Sequence, residues 1–284
     1  MTNSPEKTLR TVLNAGTDYL ARRNVENPRA GCELLAARLL NCARLEIGLH
    51  LNDILKPPHL EAMRRGVKRV GAGEPVQYVT GEAWFMNRSF RVDGRALIPR
   101  PETEGLVELA LKDAELWESR PVIADIGTGS GCIVVSLALE RPDALYLGLD
   151  ASEEAISLAE ENAARHGVNG KIGFSSSDLS DCVDPHTLNA VITNPPYVST
   201  AVYEKLPVHI REHEPRIALD GGRGGLDVLE AIVVDSSFAL AEGGRFFMEI
   251  GEDQPEAVKR ILADTCYKDV RVDKEKKKKN RYVS

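Results

Sequence analysis

Residues 122–132 read VIADIGTGSGC. Val122 to Ile126 is a short apolar run that suits a strand, Gly127-Thr128-Gly129-Ser130-Gly131 is a turn, and Cys132 to Glu140 continues as a helix. Glycines in such a turn let the backbone approach a ligand closely and adopt conformations a side chain would resist, while the helix start offers free N–H groups. The spacing is G-x-G-x-G, which matches neither the dinucleotide fingerprint G-x-G-x-x-G nor a phosphate loop closing in Gly-Lys-Ser/Thr. The same alternation continues on the C-terminal side. Strands are expected at Tyr146 to Asp150, Ile172 to Ser176, Ala190 to Thr193 and Arg245 to Ile250, and helices at Glu153 to Arg165, Leu226 to Ala241 and Pro255 to Asp264. Alternating strands and helices imply an α/β fold, a mostly parallel sheet covered on both faces and doubly wound.

Toward the N-terminus the texture differs. Residues 1–73 carry helical periodicity: Leu9, Val12, Leu13, Gly16, Tyr19 and Leu20 form one stripe. A second helix opens at Asn27-Pro28, and a third starts at Pro57-Pro58 and runs through Met63, Val67 and Val70. This predicts a small helical domain whose apolar stripes form its core. Residues 74–101 mix Gly, Pro and aromatic residues and read as a linker plus a β-hairpin, with Trp84, Phe85, Phe90 and Val92 as strand residues and turns at Asn87-Arg88 and Asp93-Gly94. Residues 102–284 then hold the sheet domain, entered by an amphipathic helix over about Glu102 to Glu118.

The 284 residues are too many for one average domain, and 43% hydrophobic with 28% charged residues gives a globular composition, which excludes fibrous and wholly disordered chains. No stretch approaches the roughly 18 uncharged apolar residues of a bilayer span, and MTNSPEKTLR has no apolar run behind its charges, so a soluble cytoplasmic protein is expected. Five cysteines, odd in number and without a C-x-x-C pair, suit neither a disulfide framework nor zinc. The net charge is −7, yet Lys274 to Arg281 alone carries +5 and leaves −12 for the rest. An acidic body repels phosphate backbones, so nucleic-acid contact is expected, if anywhere, only through Lys274 to Arg281, a charge run that otherwise reads as a solvated loop. His209 and His213 stand at i, i+4, but HIREHE lacks the H-E-x-x-H order and a third ligand, so no metal is expected.

Three strand ends carry chemistry. Asp150 closes LYLGLD, where a carboxylate can accept both hydroxyls of a ribose, or else merely joins Ser152, Glu153 and Glu154 in capping the next helix. Asp178 follows IGFSS, where it can accept from an adenine amino group with Leu179 covering the ring. AVITNPPYV places Asn194-Pro195-Pro196-Tyr197 after a buried strand. Two prolines fix the backbone, so the Asn194 side chain and the Pro195 carbonyl stand as acceptors. An NH2 group has two donors to satisfy them, and the face of Tyr197 can stack on a planar amide or base.

These residues together resemble the class I S-adenosylmethionine-dependent methyltransferases, Rossmann-like enzymes, in the subgroup that methylates exocyclic or amide nitrogens. Residues 73–81 (GEPVQYVTG), 97–104 (LIPRPETE) and 214–220 (EPRIALD) with the following GGRGGLD resemble the PrmC/HemK family more particularly. The resemblance covers about residues 5–265. It implies methyl transfer from S-adenosylmethionine, giving S-adenosylhomocysteine, to the glutamine amide nitrogen in the Gly-Gly-Gln loop of class I peptide-chain release factors. The helical domain would help grip that protein partner. Rival activities are glutamine methylation of a ribosomal protein and adenine or guanine methylation of RNA or DNA; a nucleic-acid-binding protein on this fold is the non-enzymatic alternative. By the resemblance, Gly127, Thr128, Gly129, Ser130 and Gly131 would wrap the methionine part of the cofactor, Asp150 would hold the ribose, Asp178 with Leu179 would border the adenine, and Asp125 would belong to the same cofactor site. Asn194 would face cofactor and substrate, with Pro195, Pro196, Tyr197 and Arg100 completing the glutamine pocket. Leu179 stands where the family often has an aromatic residue, and KEKKKKNR occupies what is usually a short turn between the last two strands.

Overall fold

In the computed structural model, which describes residues 7–275 and 279–284, the helices begin where the sequence supplies starters. The Thr8 hydroxyl accepts from the Thr11 amide at the head of α1 (Leu9–Ala21), and prolines open α2 (Pro28–Leu40) and α3 (Pro57–Gly71). Leu9, Leu13 and Leu20 of α1 pack with Cys32 and Leu35 of α2 and Met63 and Val67 of α3 in one apolar core. α4 (Val76–Thr80) lies in the stretch read as linker, where Arg69 holds Glu74 at 2.7 Å just before it. This first unit therefore reaches Glu82, where the sequence boundary stood at residue 73, and it also takes in Val208–His213.

The second unit runs from Ala83 to Pro207 and resumes at Glu214. Its hairpin pairs β1 (Glu82–Phe85) with β2 (Arg88–Arg91). The turn is Met86-Asn87, one residue earlier than expected, and both residues have positive φ, as a two-residue hairpin turn requires. The helix expected over Glu102 to Glu118 is broken. A 3-10 turn at Pro101–Thr103 leads into α5 (Glu104–Lys112), which stops at Asp113, and Asp113 then accepts from the Leu116 amide to start a second 3-10 turn. The side chain of an interior Asp competes with the helix for backbone N–H groups, which is why the run ends there.

The remaining elements follow in order: β3 (Val122–Ile126), α6 (Cys132–Glu140), β4 (Leu145–Asp150), α7 (Glu153–Arg165), β5 (Ile172–Ser176), β6 (Leu188–Thr193), α8 (Thr200–Tyr203), α9 (Val208–Arg211), α10 (Asp227–Ala239), β7 (Leu240–Glu249), α11 (Pro255–Ala263), β8 (Val272–Lys274) and β9 (Asn280–Val283). β7 starts five residues earlier than expected because Leu240 pairs with Leu188 before a register shift. The sheet order is β5-β4-β3-β6-β7-β9-β8. All neighbours are parallel except β9, which runs antiparallel to both β7 and β8. The last pair was not among the expected strands, since VDK and NRYV carry no apolar run. Successive residues of β3 serve opposite faces: Ile123 joins the core under α5 and α6, and Ala124 and Ile126 join the core under α10 and α11. No helix among the described residues is long and apolar enough to cross a membrane.

One buried side chain binds the hairpin to the glycine turn. Asn162 of α7 accepts from the Arg91 amide at 2.7 Å and donates to the Arg91 carbonyl at 3.0 Å and the Ser130 carbonyl at 2.8 Å. Asn162→Ala orphans an amide and two carbonyls, at about 1–3 kcal/mol for each group left buried and unsatisfied. The variant should show a clearly lower midpoint of urea unfolding, and an unchanged midpoint would mean that these bonds contribute nothing net.

Candidate active site

A parallel sheet exposes the loops after its strands at one edge, and a crevice opens where neighbouring strands send their connections to opposite sides. Here that point lies between β3, which is followed by β4 and β5 on one side, and β6, which is followed by β7 on the other. Ile126 and Thr193 are paired at the ends of these two strands, and the Thr193 hydroxyl donates to the Ile126 carbonyl at 2.8 Å. The next residues are Gly127 and Asn194, so the two motifs singled out in the sequence begin side by side.

Gly127, Gly129 and Gly131 all have positive φ, between 55° and 77°. A Cβ on Gly131 would sit 3.0 Å from the Ala159 Cβ, so this glycine also lets α6 approach α7. A Cβ on Gly127 would meet nothing within 4 Å, which leaves open space along that backbone. Asp150 is tied directly to this turn: one carboxylate oxygen accepts from the Gly129 amide at 2.9 Å and the other from the Ser152 amide at 2.9 Å. Ser152 also caps α7 through Ala155, so Asp150 braces the residue that starts the next helix as well as the glycine turn. Burial raises the Asp150 carboxyl above its usual range, against these two amides.

Asp125 sits behind the turn, not in front of it. It is wholly buried, one oxygen accepts from the Thr128 hydroxyl at 2.8 Å and the Val134 amide at 3.3 Å, and the other oxygen has no hydrogen-bond partner. Its contacts make it a brace for the glycine turn. Burial pushes its carboxyl up to about 7, opposed by Thr128 and Val134 and reinforced by the nearby Asp150 charge. Asp178 is exposed beyond β5, and Leu179 has φ 47°, a left-handed conformation costly for a branched side chain. The next residue is anchored: the Ser180 hydroxyl donates to Asp235 of α10 at 2.6 Å and its amide does so at 3.2 Å.

Asn194-Pro-Pro-Tyr197 is gripped from behind. The Asn194 Nδ2 donates to the Thr103 hydroxyl at 3.0 Å, Thr103 donates to Glu249 at 2.8 Å, and the Tyr197 hydroxyl donates to the other oxygen of Glu249 at 3.1 Å. Thr103 is 2% and Glu249 1% exposed. Burial raises the Glu249 carboxyl, opposed by Thr103, Arg281 and Tyr197, and burial raises the Tyr197 phenol. Arg281 Nη1 lies 3.4 Å from the Tyr197 hydroxyl. The expectation of a solvated basic stretch therefore fails at Arg281, which points inward, and Lys279 pairs with Glu252 at 2.7 Å. Residues 276–278 of that stretch lie outside the described residues.

Glycines also lock the backbone that follows. A Cβ on Gly221 would stand 2.3 Å from the Pro196 carbonyl, and one on Gly225 would stand 2.0 Å from the Tyr197 carbonyl, which accepts from Gln254 at 2.9 Å. Among the described residues no hydrogen bond engages the Pro195 carbonyl, which leaves it available as an acceptor. Arg100, expected in the substrate pocket, pairs with the buried Glu214 at 2.6 Å, and Glu214 also accepts from the Ile98 amide at 3.2 Å. Thr103, Glu249, Asn162, Gln254 and Arg281 were not read as site residues. Only Thr103 carried a signal, because it lies in the particular segment LIPRPETE.

Residues 11–81 match the PrmC N-terminal domain and residues 107–210 the methyltransferase small domain. The chain is 38% identical to the release factor glutamine methyltransferase of Geobacter sulfurreducens, covering 95% of this chain and 93% of that protein. The proteins of the same name from Moorella thermoacetica (38%, covering 89% of each) and Chlorobaculum tepidum (35%, covering 96% and 95%) are similar as well. Among solved structures, the hMettl16 catalytic domain in complex with the MAT2A 3′UTR hairpin 6 aligns with a TM-score of 0.54 over 80% of this chain and 81% of that one. A methyltransferase from Pyrococcus furiosus aligns at 0.51 over 68% and 85%. At 14% and 17% identity these two speak for the class I methyltransferase fold alone.

The raised carboxyl of Asp125 gives a pH test of the turn. A group whose folded pKa exceeds its unfolded value holds its proton more tightly in the native state. Its contribution is therefore full below about pH 4 and falls as pH rises toward about 7. Asp125→Asn has no such titration. The stability of this variant relative to the wild type, measured by urea unfolding from pH 5 to pH 8, should increase with pH; a constant difference would mean that Asp125 is already ionised at pH 5.

Proposed function

The chain belongs to the release factor glutamine methyltransferase family, and on that premise we propose that it methylates the side-chain amide nitrogen of the glutamine in the Gly-Gly-Gln loop of a class I peptide-chain release factor. S-adenosylmethionine is the proposed methyl donor, and the cytoplasm, where translation terminates, is the proposed compartment. One observation carries the reading: a carboxamide anchored through its nitrogen and a proline carbonyl without a hydrogen bond among the described residues stand next to each other after β6, and a glycine turn with an open flank follows the paired end of β3. The Gly127 backbone with its open flank fits a ligand that must lie close to the main chain, and Asp150 is the carboxylate that would take the ribose hydroxyls. Bound there, S-adenosylmethionine supplies a sulfonium methyl whose C–S bond breaks, with its electron pair staying on sulfur, as the new C–N bond forms.

An amide nitrogen is a poor nucleophile because its lone pair is delocalised into the carbonyl. The residues of this site meet that problem by position. The Asn194 Oδ1 and the Pro195 carbonyl accept one amide hydrogen each, which aims the nitrogen and stabilises the positive charge that builds on it. Tyr197 offers a ring face to the planar amide while its hydroxyl is held by Glu249. No strong base is needed, because the proton leaves the alkylated nitrogen readily to water. Arg100 and the Ile98 amide are both held by Glu214, which fixes the chain that leads to Thr103.

The test uses the purified protein, methyl-labelled S-adenosylmethionine and a release factor. Asn194→Ala should lower kcat by at least about 100-fold, the scale of one lost transition-state hydrogen bond, while calorimetry finds cofactor affinity within about twofold of the wild type. Asp150→Ala should instead weaken cofactor binding about 10-fold or more, in line with a charge-assisted hydrogen bond. Label appearing in ribosomal RNA and not in the release factor would overturn the assignment.

A further inference from the structure

We propose that Thr103 and Glu249 are positioning residues that decide which end of the Asn194 carboxamide faces the substrate, and so make the pocket selective for an amide over a carboxylate. The inference rests on the function proposed above and adds to it the origin of that selectivity. An asparagine side chain is almost the same shape either way round, so sterics alone do not orient it. Hydrogen-bond polarity does. In its ionised form Glu249 only accepts; one of its oxygens takes the Thr103 hydrogen at 2.8 Å and the other takes that of Tyr197 at 3.1 Å. A hydroxyl has a single hydrogen, so Thr103, having given it to Glu249, turns only lone pairs toward Asn194. At 3.0 Å from Thr103, Asn194 must therefore present its NH2 backward and its Oδ1 forward. The Oδ1 joins the Pro195 carbonyl as a second acceptor, which suits a substrate NH2 and repels a carboxylate.

The polarity originates in a charge that is 1% exposed, at the end of β7, and three elements converge on it: the 3-10 turn with Thr103 and Glu102, the loop with Tyr197, and β9 with Arg281. If Glu249 loses its charge, by substitution or protonation, it can donate to Thr103. Thr103 can then donate to Asn194, whose amide turns over and shows NH2 to the pocket. The sequence of donors reverses with no movement of heavy atoms beyond that turn of the Asn194 amide.

The experiment compares wild type, Thr103→Ser, Thr103→Val and Glu249→Gln. It measures methyl transfer to a release factor, inhibition by the same factor with its target glutamine replaced by glutamate, cofactor affinity and thermal midpoint. Thr103→Ser keeps the hydroxyl and should keep wild-type kcat. Thr103→Val and Glu249→Gln should lose about 10-fold or more in kcat with cofactor affinity within about twofold, and the glutamate-bearing factor should inhibit them at least about 10-fold more strongly relative to substrate binding. Wild-type kcat should rise with pH through the titration of Glu249 and then level off, with that limb absent in Glu249→Gln. A loss of stability alone would leave the amide-to-carboxylate preference unmoved. Should Glu249→Gln fail to fold, the Thr103 pair decides the matter. Wild-type kcat and wild-type preference in Thr103→Val would overturn the inference. A wild-type protein that does not methylate the factor would overturn the function itself. In that case the Asn194 side-chain amide resonances still test the orientation, with a shift expected in Thr103→Val and none in Thr103→Ser.

Discussion

The ends of β3 and β6 meet at Ile126 and Thr193, and the Thr193 hydroxyl closes that meeting on the Ile126 carbonyl at 2.8 Å. Past this point the β3–β6 ladder stops and the two loops part. One loop is rich in glycine and keeps open space beside the Gly127 backbone, while the other is rich in proline and leaves the Pro195 carbonyl without a hydrogen bond among the described residues. A ligand with a charged or polar tail suits the first, and an NH2 group suits the second. The two loops are held beside each other because both start from residues that are locked together.

The walls behind both loops are made by buried carboxylates. Moving a carboxylate out of water costs several kcal/mol unless it is met by donors. Asp125 meets the Thr128 hydroxyl and the Val134 amide, and Glu249 meets two hydroxyls with Arg281 nearby. Each penalty is offset in part by a donor from the loop in front, Thr128 for Asp125 and Tyr197 for Glu249, so folding the loop also helps to satisfy the carboxylate. An apolar residue of similar size at either position would fill the space and leave those donors without a direction to point.

The sheet was legible because its signals are local. Apolar runs broken by amphipathic stretches gave β3, α6, α7 and β5 to the residue, and the two loop motifs stand out by composition. Boundaries failed where a distant partner decides them. β7 extends back to Leu240 because Leu188 is there to pair with it, and the Glu102 to Glu118 run breaks because Asp113 caps Leu116 and also holds Arg245 at 2.9 Å. Arg281 was read with its lysine neighbours as a solvated charge. In a strand, alternate residues face opposite ways, so one of a charged run can turn inward to a buried glutamate. No property of residues 274–281 alone reveals that Glu249 waits there.

The segment LIPRPETEG shows why some short motifs are particular. The Ile98 amide and the Arg100 guanidinium both end on Glu214, Thr103 ends on Glu249 and Asn194, Glu104 accepts from the Met86 amide at 2.8 Å, and a Cβ on Gly105 would collide with the Tyr282 ring. Pro99 and Pro101 add no donors that would need partners, and they hold the chain extended between these contacts. The Ile98, Arg100 and Thr103 partners on Glu214 and Glu249 lie more than a hundred residues further along the chain. Such a stretch has little freedom to vary. Its identity is set by these contacts and by the geometry they impose on Asn194.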